Sequence, residues 1–312
     1  MSEAIVARNL GRRFGERTAV EGLSFSVGKG EVFGLLGPNG AGKTTTVRML
    51  CALLAPSEGE AEICGLRLGA DDLGVRASVG LLTEQPGLYD RLSALENLLY
   101  FARLYGVEEA TARERIGKVL ETFGLSGREH ERVGGFSKGM RQKLAIARTL
   151  IHEPKVVFLD EPTSGLDPEA SATVRALVER LAGEGRTIVL CTHNLDEAER
   201  LCDRVAIVKG RILAMGEISS LLSGTSHVAI ELAEEAAGLA ERLRGAPGIE
   251  AVEAEAGTLR VRIAASDGVP ELVGRIVALG GRIQAVRPAA RELERAYLEL
   301  VGGGAGQSTS EI

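Results

Sequence analysis

The run Gly37-Pro38-Asn39-Gly40-Ala41-Gly42-Lys43-Thr44 has the form G-x4-G-K-[ST], and it constrains this chain more than any other feature. It follows the short apolar run Val32-Phe33-Gly34-Leu35-Leu36 and precedes a helical pattern. In that setting the glycines let backbone N–H groups curl round a polyphosphate, and the helix start adds partial positive charge. Lys43 supplies a point charge, and the Thr44 hydroxyl is suited to ligate Mg²⁺. The chain is rich in glycine, yet chance would give only about 0.01 such matches in a chain of this composition, before any strand–helix context is required.

Two further apolar runs, Val156-Val157-Phe158-Leu159 and Thr187-Ile188-Val189-Leu190, share this strand–loop–helix pattern. Continuous apolar runs of that length predict parallel strands buried on both faces of an α/β core. The first 35 residues instead alternate apolar with polar, as in Leu23-Ser24-Phe25-Ser26-Val27, which predicts an antiparallel β layer. Leu92 to Leu104 and Ala112 to Phe123 carry apolar residues at helical spacing, predicting a helical subdomain over about 86–150. The second run ends in Asp160-Glu161. Beside a phosphate loop, Asp160 would orient a Mg²⁺ shell and Glu161 would polarise an attacking water as general base.

The chain has 312 residues, enough for about two domains. The expected division is 1–222 for the α/β unit, 223–301 for a small second domain and 302–312 for a disordered, Gly-rich tail. Ser223-Gly224-Thr225-Ser226 reads as the linker. Beyond it the expected order is a strand (228–233), a helix (234–244), a hairpin (249–255 and 259–264), a helix (269–279), a strand (282–286) and a last helix (291–300). That βαββαβ order is ferredoxin-like α+β. The last helix would carry Leu293, Ala296, Tyr297 and Leu300 on one side.

A net charge of −6 gives no electrostatic reason to expect nucleic acid as the partner. No apolar run reaches the ~18 residues of a membrane span, and the first residues lack the apolar stretch of a secretory signal. Cys51, Cys64, Cys191 and Cys202 show no Cys-x-x-Cys spacing; Cys51 and Cys191 lie in apolar runs and read as core residues of a protein in a reducing compartment. His130, His152 and His227 match no motif.

These features and five further ones, in order, resemble the ATP-binding subunits of ABC (ATP-binding cassette) transporters over about residues 4–220. Phe14 stands 29 positions before Lys43, where the family places an aromatic that stacks on adenine. Gln85, in Leu81-Leu82-Thr83-Glu84-Gln85-Pro86, matches the glutamine at the junction of core and helical subdomain, near metal and attacking water. Phe136-Ser137-Lys138-Gly139-Met140-Arg141-Gln142 stands in the place of the family's Leu-Ser-Gly-Gly-Gln signature. Ser164-Gly165-Leu166-Asp167 looks like the loop that meets the opposite protomer, and His193 matches the switch histidine of the γ-phosphate.

The resemblance implies a P-loop NTPase cassette that binds ATP and Mg²⁺ and hydrolyses ATP. Gly37 to Thr44, with Thr45, would bind nucleotide; Thr44, Gln85 and Asp160 would hold the metal; Glu161, His193 and Gln85 would act in catalysis. Ser137, Gly139 and Asp167 would complete the site of a second subunit, a homodimer mate or a similar ATPase. The Ser-Lys-Gly-Met signature, with Phe136, Lys138 and Met140 replacing the usual residues, is similar to that of ABC-2-type exporters. It implies separate membrane-embedded permease subunits and a peripheral position on the cytoplasmic side. The alternatives are an importer ATPase or a soluble ABC-type ATPase outside transport.

Overall fold

Alternate residues of each central strand feed two different cores, and this sets the layering of the larger unit. The computed structural model describes residues 2–218, 226–233, 236–255, 257–263 and 268–288. They fall into two compact units, Met1–Met215 and Gly216–Ile312.

The first unit runs β1 (Glu3–Phe14), β2 (Arg17–Gly28), β3 (Val32–Leu36), α1 (Lys43–Leu50), β4 (Glu58–Ile63), β5 (Leu66–Arg67), α2 (Asp72–Ser78) and β6 (Val79–Leu82). It continues with α3 (Ala94–Leu104), α4 (Glu109–Thr122), α5 (Lys138–Leu150), β7 (Val156–Asp160) and α6 (Pro168–Gly183). Last come β8 (Thr187–Thr192), α7 (Leu195–Leu201), β9 (Arg204–Lys209) and β10 (Arg211–Glu217).

The main sheet has the order β10-β9-β3-β8-β7-β6, with β9 through β6 parallel. All residues of β3, β7 and β8 are buried, as their continuous apolar runs demand. Side chains alternate across a strand, so Val157, Leu159, Ile188 and Leu190 pack with the helices α3 to α6. Val156, Phe158, Val189 and Cys191 pack instead with α1 and the antiparallel layer. That layer has the order β2-β1-β4-β5, so it recruits β4 and β5 beyond the residues that the alternation of the first 35 identifies.

Between β6 and β7 the chain is mostly helical. Helix α3 starts at Ala94 rather than Leu92 because Ser93 caps it: Glu96 N–H donates to Ser93 Oγ at 3.1 Å, and Ser93 N–H donates to Glu96 Oε2 at 2.7 Å. Asn97, fully buried, accepts from Tyr89 N–H and donates to the Tyr89 carbonyl, which ties the preceding loop to this helix.

The second unit runs β11 (Ser226–Leu232), α8 (Ala237–Leu243), β12 (Ile249–Glu255), β13 (Thr258–Ile263), α9 (Val269–Ala278) and β14 (Ile283–Pro288). Its sheet is antiparallel with the order β12-β13-β11-β14, the ferredoxin-like arrangement. Val228, Ile230, Val261 and Ile263 form its core with Leu239, Leu272 and Ile276 of the helices. The expected last helix, most of the linker and the tail lie outside the described residues. Among the described residues no helix is long and apolar enough to cross a membrane.

Phe158 is fully buried at the centre of this arrangement. Phe158→Ala should destabilise the first unit by about 3–5 kcal/mol through lost transfer energy and a cavity. The chain has no tryptophan, so urea titration followed by far-UV circular dichroism is the suitable measurement. A midpoint unchanged from wild type would contradict the central placement of this ring.

Candidate nucleotide site

The phosphate loop leaves the carboxyl end of β3 and enters α1 under the edge of the antiparallel layer. Gly42 takes φ +95°, and a Cβ there would lie 2.7 Å from the Ala19 carbonyl of β2. Only glycine lets β2 come this close over the loop. Gly37 is required for a different reason: its Cβ would strike the Val208 carbonyl of β9. The loop is anchored further by Gly210 N–H donating to the Ala41 carbonyl at 2.9 Å.

A cleft of ≈ 500 Å³ opens over this loop. Its lining contains Phe14, Pro38, Asn39, Gly40, Ala41, Gly42, Lys43, Thr44, Thr45, Asp160, Glu161 and His193, all expected from the sequence. These residues come from segments more than a hundred positions apart, brought together because β3, β8 and β7 are neighbours whose carboxyl ends share one edge. Lys43, only 6% exposed, donates to the Gly37 carbonyl at 2.6 Å and pairs with Glu161 Oε1 at 3.4 Å. Thr44 Oγ1 donates to Asp160 Oδ2 at 2.8 Å. His193 Nδ1 lies 2.9 Å from Glu161 Oε2.

Two features mark this corner as chemically special. Glu161 has φ +51°, a conformation uncommon for a residue with a side chain, and its N–H donates to the Cys191 carbonyl of β8 at 2.8 Å. Asp160 is 2% exposed, and its Oδ1 has no hydrogen-bond partner. Burial raises the Asp160 pKa, with the Glu161 and Glu84 carboxylates adding to the rise and the Thr44 hydroxyl and Lys43 opposing it.

Arg17, Ala19, Glu84 and Ser164 complete the lining. Gln85 does not line the cleft: it is exposed, and its neighbour Glu84 lines it instead. The cause is a tight turn after β6, in which Thr83 Oγ1 donates to the Gln85 carbonyl at 2.6 Å. Ser137, Gly139 and Asp167 also lie outside the cleft of their own chain. Ser137 caps α5 by accepting from Met140 N–H, and Asp167 caps α6 by accepting from Ala170 N–H at 2.8 Å. Lys138 Nζ donates to the Gly165 carbonyl at 2.6 Å, and Gln142 Nε2 donates to the Pro162 carbonyl at 2.7 Å. Nothing in the sequence announces these two ties between α5 and the loop after Glu161.

The raised Asp160 pKa means that the native state holds this proton more tightly than the unfolded chain. Stability from this group is therefore present at low pH and is lost as pH rises from the ordinary 3.8 through the raised value. Asp160→Asn should raise the melting temperature of the nucleotide-free protein at about pH 7 and do so less at about pH 4, close to the ordinary carboxyl value. Equal shifts at the two pH values in a thermal scan would contradict the buried, unpaired carboxylate.

Residues 20–164 match the family described as ABC transporter. The chain is 42% identical over 223 residues to the ABC transporter ATP-binding protein NatA of Bacillus subtilis (strain 168), covering 70% of this chain and 91% of that protein. It is 31% identical over 303 residues to the linearmycin resistance ATP-binding protein LnrL of the same organism, covering 95% and 97%. Among solved structures, a dimeric ATP-binding cassette in a post-hydrolysis state, bound to ADP and Pi, aligns with a TM-score of 0.61 at 26% identity, covering 68% of this chain and 98% of that one. Likeness at this level, over nearly the whole length of these relatives, makes the chain a member of the ATP-binding proteins of ABC transporters, the enzymes that hydrolyse ATP to power transport.

Proposed function

We propose that this ATPase drives export through separate membrane-embedded permease subunits, working at the cytoplasmic side as a homodimer or paired with a similar subunit. The observation that carries the chemistry is the convergence of Lys43, Thr44, Asp160, Glu161 and His193 on one cleft. In the proposed reaction the loop N–H groups and Lys43 hold the β- and γ-phosphates. Glu161 accepts the proton of the attacking water, and His193, bonded to its other oxygen, orients it and reaches toward the γ-phosphate. The base Glu161 and the cation Lys43 start as an ion pair, so nucleotide entry exchanges one partner of Lys43 for phosphate.

The residues fit Mg²⁺. The buried, unpartnered Asp160 Oδ1 beside the Thr44 hydroxyl is a hard-oxygen donor set, and the Glu84 carboxylate also lines the cleft. Bound there, the ion would neutralise phosphate charge. Ser137 and Gly139 would act on the nucleotide of the facing subunit, where the capped start of α5 offers free N–H groups.

Export rather than import is supported by the likeness over nearly the whole chain to a protein named for linearmycin resistance, and by the Ser137-Lys138-Gly139-Met140 signature. A permease contact is supported by a second cleft of ≈ 460 Å³ whose walls include Leu53, Leu73, Leu104 and Tyr105, all large apolar side chains left exposed.

Glu161→Gln should keep ATP binding and lower turnover by about 10²-fold or more, because the base is lost while the phosphate and metal groups remain. In sedimentation with ATP that variant should run as a dimer, and adding Ser137→Arg should return it to monomer. Turnover like wild type would remove Glu161 from the base role, and a double variant that still dimerises would remove the sandwich.

A further inference from the structure

Phe14 ends β1 at the rim of the cleft and is 47% exposed, so by itself its ring would sample several rotamers. It is not by itself. The Arg12 guanidinium covers one face of the ring, with its central carbon 4.8 Å from the ring centroid. Arg12 is in turn anchored, since its Nη1 donates to the Ala55 carbonyl, beyond α1, at 2.8 Å. The hairpin turn after Phe14 is also fixed: Phe14 pairs with Arg17 across a two-residue loop whose first member, Gly15, has φ +58°. One face of the phenyl ring is thus occupied and held from behind, while the ring itself lines the nucleotide cleft.

We propose that Arg12 is a positioning residue of the nucleotide site: it backs the Phe14 ring, so that the purine base of ATP completes a three-layer stack of guanidinium, phenyl and base. The inference rests on the reading of Phe14 as the base platform. Its physical content is pre-organisation. A planar cation on an aromatic face is attractive, and the Ala55 anchor fixes the plane of the guanidinium. The ring is therefore ordered before the base arrives, and binding does not have to order it. Lysine would keep the charge but lacks a planar fork to lie on the ring while reaching the Ala55 carbonyl.

The test is calorimetric titration of the full chain with ATP and, separately, with inorganic triphosphate, which lacks a base. Arg12→Ala should weaken ATP binding by about two- to tenfold and leave triphosphate binding unchanged. Arg12→Met, which keeps the length of the stem, should behave the same way and guards against a folding defect. In steady-state assays the loss should fall on KM, with kcat unchanged. In a Phe14→Ala background Arg12→Ala should have no further effect on ATP. If Phe14→Ala weakens ATP binding while both Arg12 variants match wild type, the proposal fails and the platform reading stands. If Phe14→Ala itself leaves ATP affinity unchanged, the platform reading fails and takes the proposal with it. Equal losses for ATP and triphosphate would make Arg12 a phosphate contact and overturn the stack.

Discussion

A buried ammonium group organises this protein. Lys43 is drawn out of water between the Gly37 carbonyl of its own loop and the Glu161 carboxylate at the end of a strand two places away in the sheet. A charge buried without partners is costly, so the loop, β3, β8 and β7 must keep their relative register for the site to exist at all. The continuous apolar runs secure that register from both faces, and Glu161 N–H bonding to the Cys191 carbonyl extends the β7–β8 ladder to the strained residue itself. The left-handed backbone at Glu161 is held by this surrounding ladder and by the Lys43 and His193 contacts of its side chain.

The same region shows how motion could leave the site. Lys138 and Gln142 on α5 grip the carbonyls of Gly165 and Pro162, within the loop that follows Glu161. The start of α5 is therefore tied to the segment adjoining Glu161. This gives Lys138 a structural task within its own subunit: its ammonium is committed to a backbone carbonyl. A change of charge partners at Lys43 and Glu161 when nucleotide enters has a short covalent path to that loop.

Much of this was legible in the sequence because periodicity and spacing report on regular elements. The three apolar runs are the buried parallel strands, and the residues at their carboxyl ends share the cleft because parallel strands end on one edge. Where regular structure stops, the reading loses its footing. Val79 of β6 belongs to the core on the α1 side and Leu82 to the helical side, so strand parity continued past Leu82 would aim Gln85 at the phosphate loop. The turn at Thr83 breaks that parity and presents Glu84 instead. Arg17 joins the cleft only because a two-residue hairpin folds it back beside Phe14. Asn97, a polar residue in the middle of an apolar helix face, carries no local sign that it is tied to the Tyr89 backbone. Tertiary geometry alone shows such contacts.

We propose that the buried Lys43 ammonium is the cation that receives the phosphates. This is tested most directly by calorimetric titration of ATP into Lys43→Ala, with thermal melting to establish that the variant is folded. A charge-assisted contact of this kind predicts a loss of at least about tenfold in affinity, larger for ATP than for adenosine. A folded Lys43→Ala protein that binds ATP as tightly as wild type would contradict the account.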